Sequence, residues 1–446
     1  MAENHSMTSG SIWKSLVAFS IPLILGNLFQ QLYNVMDSVI VGQYVGKSAL
    51  AAVGSSGSIL NLLIGFYIGA AAGAGIITSQ VYGAKDQERL HNAVHTSMAI
   101  ALIGGVILTV AGIILAPWMI RTIGTPDDVF DQSVTYLRIF ICGSVFATVY
   151  NMCAGILNSV GNSRRSLVYL IISSVTNVVL DVLFVGVFRW GITGAAAASV
   201  VSMMVSCICI VFYMVKTDSS YRIIPKDIRL YQGLPSHILK LGIPSGFQSV
   251  VISMSNVIVQ AAVNSFGSDI MAAYTAYCKV EGFMLLPIMS LGMAATTYTG
   301  QNYGAGNFER IRKGSKVSTL MGAGYAVVVA AIVYLTAPYI VSIFTDDRAV
   351  IQSAVYILNA LLPTYWLLAV FNVKTGTIRG VGKTFQTMVI SVFSLCVLRI
   401  LWITFVFGDS QNLLLLVINY PVTWLAGAVI ATVYEKKYIT KKNLAV

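Results

Sequence analysis

The stretch Gln80-Val81-Tyr82-Gly83-Ala84 returns as Gln301-Asn302-Tyr303-Gly304-Ala305, about 221 positions later. At the same offset Glu88 and Arg89 meet Glu309 and Arg310, and Ala116-Pro117 meets Ala337-Pro338. Further on, Asn151, Gly155, Val160 and Gly161 meet Asn372, Gly376, Val381 and Gly382. Ile21-Pro22 meets Ile243-Pro244 with one residue of slip. An offset held this long makes residues 16–215 and 238–434 two copies of one unit. Both copies are strongly apolar, and duplication with a cavity between the halves is how many membrane transporters are built.

Hydrophobic residues make up 57% of the chain and charged residues 10%, against about 25% charged in an ordinary soluble domain. A helix needs about 20 mostly apolar residues to cross the hydrocarbon core. Twelve stretches meet that length, near 16–44, 50–80, 92–118, 134–157, 166–188, 192–215, 238–265, 270–299, 316–337, 351–375, 385–408 and 412–434. Their length and lack of strict alternation predict helices, not a barrel. The expected fold is therefore an all-α, multi-pass integral membrane protein.

The net charge of +11 reports topology and implies no nucleic-acid partner. Of the 28 Lys and Arg residues, 21 fall in the terminal segments and alternate loops that twelve spans would leave on one side. Only Lys47, Arg121, Arg189 and Arg348 fall in the opposite loops. By the positive-inside rule, both termini are expected in the cytoplasm. All six cysteines lie in apolar spans, which predicts buried small residues and neither a disulfide framework nor a zinc ribbon. Residues 1–10 are polar, so no cleaved signal peptide is expected and the first span is retained.

The long polar connection, residues 216–236, falls where the repeat restarts. It divides the chain into an N-lobe (1–215), a cytoplasmic linker (216–236) and a C-lobe (237–446), each lobe carrying six spans. An even number of spans gives both lobes the same orientation, related by a pseudo-two-fold axis along the membrane normal. One chain then encloses a whole cavity, and the expected functional state is a monomer.

Three acidic residues lie deep in spans: Asp37, Asp181 and Glu281. An ionisable group at the bilayer centre costs about 2.5–3.5 kcal/mol even on the lenient insertion scale, so such residues usually line water or a cation path. The alternative is a carboxylate held by a neighbouring basic group or amide for packing. Asn27, Gln30, Asn34 and Asp37 are spaced three and four apart and share one helix face. Asn177 and Asp181 are four apart on the fifth span. Together they offer oxygens suited to Na⁺, or two carboxylates that trade a proton. The second half does not repeat the acids: Ile258 or Val259 stands opposite Asp37, and Trp402 opposite Asp181. Such asymmetry on a duplicated scaffold points to specialisation of the first half.

Glu281 lies two residues from Lys279, on a different helix face, and Arg399 is its candidate partner. The group is either a structural pair or a second proton or cationic-substrate site. His91 and His95, four apart at a helix start, lack an evident third metal ligand and read as a surface helix end. Gly161 and Gly382 read as helix ends. No Walker A, His-Glu-x-x-His or Gly-x-Ser-x-Gly sequence is present, so neither ATP-driven pumping nor hydrolysis is expected and no cofactor is implied.

With these residues in place, the chain resembles the multidrug and toxic compound extrusion (MATE) family over nearly its whole length. The resemblance rests on Pro22 with Asp37 fifteen residues on, Asp37-Ser-Val-Ile-Val-Gly42, the duplicated Gln-x-Tyr-Gly-Ala, and Gly155-Ile-Leu-Asn-Ser-Val-Gly161 with its repeat Gly376-Thr-Ile-Arg-Gly-Val-Gly382. It implies two six-helix lobes around a V-shaped central cavity, and secondary active efflux of organic, often cationic, compounds in exchange for H⁺ or Na⁺. It further implies a cation site at Asp37, Asn177 and Asp181, with Ser199 where relatives carry Thr, Asn34 assisting, and a bend of the first helix at Pro22. The seventh span carries Asn256 and Gln260 where another branch carries acids, which places the chain nearer the DinF-like branch. Gln30, Glu281, Lys279, Arg399, Asn256 and Gln260 are the candidates for a substrate or second site.

The expected role is a drug antiporter of a bacterial-type plasma membrane. The alternative within transport is a flippase for a lipid-linked cell-envelope precursor, which would want a cationic cavity; Lys279 and Arg399 are the candidates for it. An intramembrane aspartyl protease using Asp37 and Asp181 lacks the Gly-x-Gly-Asp context and leaves the duplication unexplained. A non-transporting receptor would not require carboxylates in one lobe only.

Overall fold

The computed structural model describes residues 6–408, 410 and 412–439; the side chains of 34, 38, 47–51, 55, 58, 61 and 62 lie outside that description. Among the described residues eleven helices are long and apolar enough to cross a membrane, and a bent pair makes twelve. They are α1 (Ile12–Tyr44), α2 (Lys47–Gly83), α3 (Gln87–Thr122), α4 (Asp127–Cys142 and Ser144–Ser159), α5 (Ser163–Val187) and α6 (Gly191–Lys216). The second set is α7 (Leu234–Asn264), α8 (Ser268–Gly304), α9 (Phe308–Ser342), α10 (Arg348–Gly380), α11 (Thr384–Phe407) and α12 (Leu413–Tyr438).

The helices overrun the apolar stretches because their polar ends are capped. Asp86 accepts the Arg89 amide at 3.0 Å at the start of α3, and its repeat-mate Asn307 accepts the Arg310 amide at 3.2 Å before α9. Asp347 and Asn412 cap α10 and α12 in the same way. Past α4 and α10, Gly161 and Gly382 take φ of 89° and 86°. These left-handed values favour glycine and stop both helices.

The repeat extends to irregularities. α4 bends by 47° at Gly143, and at the matching place α10 tightens into a 3-10 turn, Leu362–Thr364. Each lobe's fifth helix ends in a π-helical turn, Val182–Val187 in α5 and Trp402–Phe407 in α11, with another in α11 at Phe393–Val397. Such wide turns re-aim side chains and often mark functional places.

The chain packs as two units, one of Met1–Ser6 with Ile21–Gly246 and one of Met7–Ser20 with Phe247–Val446. The division therefore falls inside α1 and α7, not in the polar linker. Within the first unit the reason is visible: a Cβ on Gly69 or Gly73 of α2 would collide with the backbone of α7 at Ile238, Gly242 and Gly246. Backbones this close are possible only between glycines. The linker itself folds onto the first unit, with Tyr221 6% and Ile223 1% exposed. All six cysteines are free.

Candidate functional site

The first unit gathers its polar groups at one level. Asp37 stands on α1 one turn beyond Tyr33, and Asn177 and Asp181 stand one turn apart on α5, Asp181 immediately before the π turn. Asn177, Asp181 and Ser199 of α6 are 1%, 0% and 1% exposed. The carboxyl groups of Asp37 and Asp181 come within hydrogen-bonding reach of each other. Asn177 Nδ2 donates to Ser199 Oγ at 3.4 Å. Tyr33 lies beside Ser199, and both Tyr33 and Tyr136 of α4 lie within electrostatic range of the two aspartates.

Asp37 Oδ1, Asn177 Oδ1 and both Asp181 oxygens are buried without a hydrogen-bond donor among the described residues. Leaving such acceptors unmet costs about 1–3 kcal/mol each, more when charged. Two remedies are chemically open. A proton between the carboxyls lets one donate to the other, or an oxygen-seeking cation such as Na⁺ takes the unmet oxygens as ligands. The donor set fits either.

Of the expected site residues, Asp37, Asn177, Asp181 and Ser199 converge. The Asn34 side chain falls outside the described residues. Gln30 is exposed, and Pro22 is buried within a continuous α1. Sequence reading missed two tyrosines. Tyr33 was findable, since it precedes Asp37 by four residues on the same face; Tyr136 arrives from another helix and leaves no local pattern.

In the second unit the expected Glu281–Arg399 ion pair is absent among the described residues. Glu281 Oε1 instead accepts the hydroxyls of Tyr277 at 2.7 Å and Tyr365 at 3.1 Å. Arg399 donates to Asn256 Oδ1 at 2.7 Å and lies 4.8 Å from the Tyr420 ring centroid, acting on Glu281 only through its field. Arg399 stands between the two wide turns of α11. Lys279 is exposed, and Gln260 is occupied by Asn264 at 2.9 Å.

The two histidines do acquire a third neighbour: His91 Nε2 lies 3.3 Å from Asp227 Oδ2, on the linker. The three residues could meet at one metal ion by position. Yet His95 has both ring nitrogens engaged, Nδ1 with the His91 carbonyl at 2.7 Å and Nε2 accepting the Ile224 amide at 2.8 Å. With Tyr231 N donating to Thr96 Oγ1 at 3.2 Å, the cluster reads as a fastening for the linker.

Comparison with known proteins agrees with this architecture. The sequence profile of the MatE family matches residues 22–183 and 244–404, the two repeats in turn. The probable multidrug resistance protein YoeA of Bacillus subtilis is 29% identical over 97% of this chain and 96% of its own. The probable multidrug resistance protein NorM of Thermotoga maritima is 23% identical over 87% of this chain and 84% of its own. Among solved structures, a MOP superfamily transporter from Pyrococcus furiosus superposes with TM-score 0.92 at 23% identity, covering 99% of this chain and 98% of that one.

Proposed function

The chain belongs to the MatE family, and from that premise we propose that it is a secondary active exporter of amphipathic, often cationic, organic compounds. Export is driven by H⁺ or Na⁺ moving the other way, across a bacterial-type plasma membrane with both chain termini in the cytoplasm. The names of the relatives as multidrug resistance proteins support the cargo class.

The observation that carries the reading is the facing pair Asp37 and Asp181, with buried oxygens that lack donors. The pair is a binding site for the coupling ion, with Asn177 and Ser199 as neutral ligands or orienting groups. An ion can drive transport only if its affinity differs between two states of the protein. Here α1 supplies that difference, because it brings Asp37 to a site whose remaining members stand on other helices. A shift of α1 takes a carboxylate away and weakens ion binding. Drug and ion then favour opposite states, as exchange demands.

Arg399, committed to Asn256 and Tyr420, is a poor pyrophosphate ligand, which weighs against the flippase alternative. The test is ethidium flux in proteoliposomes under an imposed H⁺ gradient and, separately, an Na⁺ gradient, each beside Asp37→Asn. Flux that the variant loses supports antiport and names the ion. Normal flux through Asp37→Asn removes the carboxylate pair from the mechanism.

A further inference from the structure

The segment before α1 is held by side chains of the second unit. Met7 N donates to Gln301 Oε1 at 2.8 Å, and Asn302 Nδ2 donates to the Met7 carbonyl at 3.3 Å. The Arg310 guanidinium spans three carbonyls: Nη2 reaches Met7 and Ser9, each at 3.2 Å, and Nη1 reaches Gly10 at 3.1 Å. Its Nε donates to Asn302 Oδ1 at 3.2 Å, so the clamp is also braced from behind. The Met7 side chain is 3% exposed. Charge-assisted bonds to several acceptors at once are among the stronger contacts available.

The repeat shows that this is no general property of the motif. Arg89, the counterpart of Arg310, is 79% exposed and turns to Asp86 at 3.4 Å. The residue matching Asp86 is Asn307, which caps its helix equally well but carries no charge to attract the arginine. Two differences thus separate the repeats: uncharged Asn307 does not draw the arginine aside, and Asn302, where the first repeat has Val81, holds the Arg310 Nε at 3.2 Å.

α1 is a single helix of 33 residues, about 50 Å long at 1.5 Å per residue. Its first residues, through Ser20, pack in the second unit, and from Ile21 onward, including Asp37, it packs in the first. Pro22 sits just past that crossing, where its missing amide removes one helical hydrogen bond. We infer that Arg310 is a positioning residue for transport: its clamp on Met7–Gly10 fixes the start of α1 to the C-terminal unit, so that movement of α1 begun at Asp37 is delivered there. This rests on the reading of Asp37 as part of the coupling site. Without the clamp, the start of α1 follows the rest of the helix and the second unit receives no pull.

The test uses full-length protein carrying Asn307→Asp, which places a carboxylate beside Arg310 as Asp86 stands beside Arg89 and keeps the helix cap, and Arg310→Gln as a second variant. Asp86→Asn is the control in the other repeat. Amide exchange over residues 7–20, ethidium affinity and gradient-driven ethidium flux are measured for each. Both variants should raise exchange in that segment by about tenfold or more and lower flux by a similar factor, with dye affinity unchanged and Asp86→Asn like wild type. A merely structural clamp would move exchange and leave flux alone. The inference is overturned if freed segments transport at the wild-type rate, or if the segment stays protected in both variants. Flux lost in Asn307→Asp but normal in Asp37→Asn would instead retire the carboxylate pair and leave the clamp standing.

Discussion

Asp37 on α1 and Asp181 on α5 hold their carboxyl groups within hydrogen-bonding reach, in a buried group where neither has an arginine or lysine as partner among the described residues. Structural carboxylates inside a membrane are normally paired with a basic group or well supplied with donors. An acid pair without either is destabilising by itself, and becomes favourable only with a proton or cation between its members. That is the property an exchangeable ion site requires.

Replacing Asp37 or Asp181 by Asn should therefore have opposite effects on function and stability. Ion-driven dye flux should fall more than about tenfold. Thermal stability in ion-free detergent should rise by about 1 kcal/mol, since removal of a buried like-charge contact is a common route to stabilisation. Flux assays beside melting curves check both signs.

Ser199 Oγ accepts from Asn177 Nδ2 and meets the Tyr33 hydroxyl. Ser199→Ala removes that acceptor and should weaken coupling-ion affinity by about fivefold, the worth of one buried hydrogen bond near 1 kcal/mol. Ser199→Thr keeps the hydroxyl and should retain most transport. Ion titrations of flux distinguish the two.

Lys374 Nζ stands 2.7 Å from Glu435 Oε2 with both side chains largely buried, and also reaches Ser315 Oγ at 3.0 Å. The structure makes Lys374 half of an internal pair. Lys374→Met should destabilise by about 3–5 kcal/mol because it removes the cation that a buried carboxylate faces, whereas adding Glu435→Leu should recover most of that loss. Thermal unfolding of the single and double variants measures it.

Gly376 and Gly155 hold matching places in the two repeats but face different gaps. A Cβ on Gly376 would strike the carbonyl of Gly292, while one on Gly155 would lie 3.0 Å from the Ala71 carbonyl. Gly376→Ala should cost about 1–3 kcal/mol as overpacking against rigid backbone, and Gly155→Ala should cost less. Yield and melting temperature of the two alanine variants rank them.

His95 fastens the linker by accepting the Ile224 amide. His95→Ala should raise amide exchange across residues 221–231 by about tenfold, for loss of one buried bond, and should leave ethidium affinity as it was. Added Zn²⁺ should not protect the linker of the wild-type protein, because the lone pair that would bind it is already committed.

Much of this molecule is written in local sequence. Length and apolarity of each stretch determine twelve helices, since a backbone in lipid must satisfy its own hydrogen bonds. The fixed offset between Gln80 and Gln301 determines the two repeats. Asp37, Asn177 and Asp181 were legible because charge and amide groups are costly in a span and therefore conspicuous there.

Tertiary structure decided what those residues meet. The direction of a side chain depends on how helices cross and where wide turns rotate them, and hydropathy records neither. Hence Tyr136 joins the aspartates unannounced, Arg399 turns to Asn256 instead of Glu281, and Asp227 reaches back to His91. Packing units and sequence repeats divide the chain differently for the same reason: the polar linker marks where the chain leaves the membrane, and close packing of Gly69 and Gly73 on α7 draws that helix's start into the first unit. Composition determines which segments enter the bilayer, and complementary shape determines which of them move together.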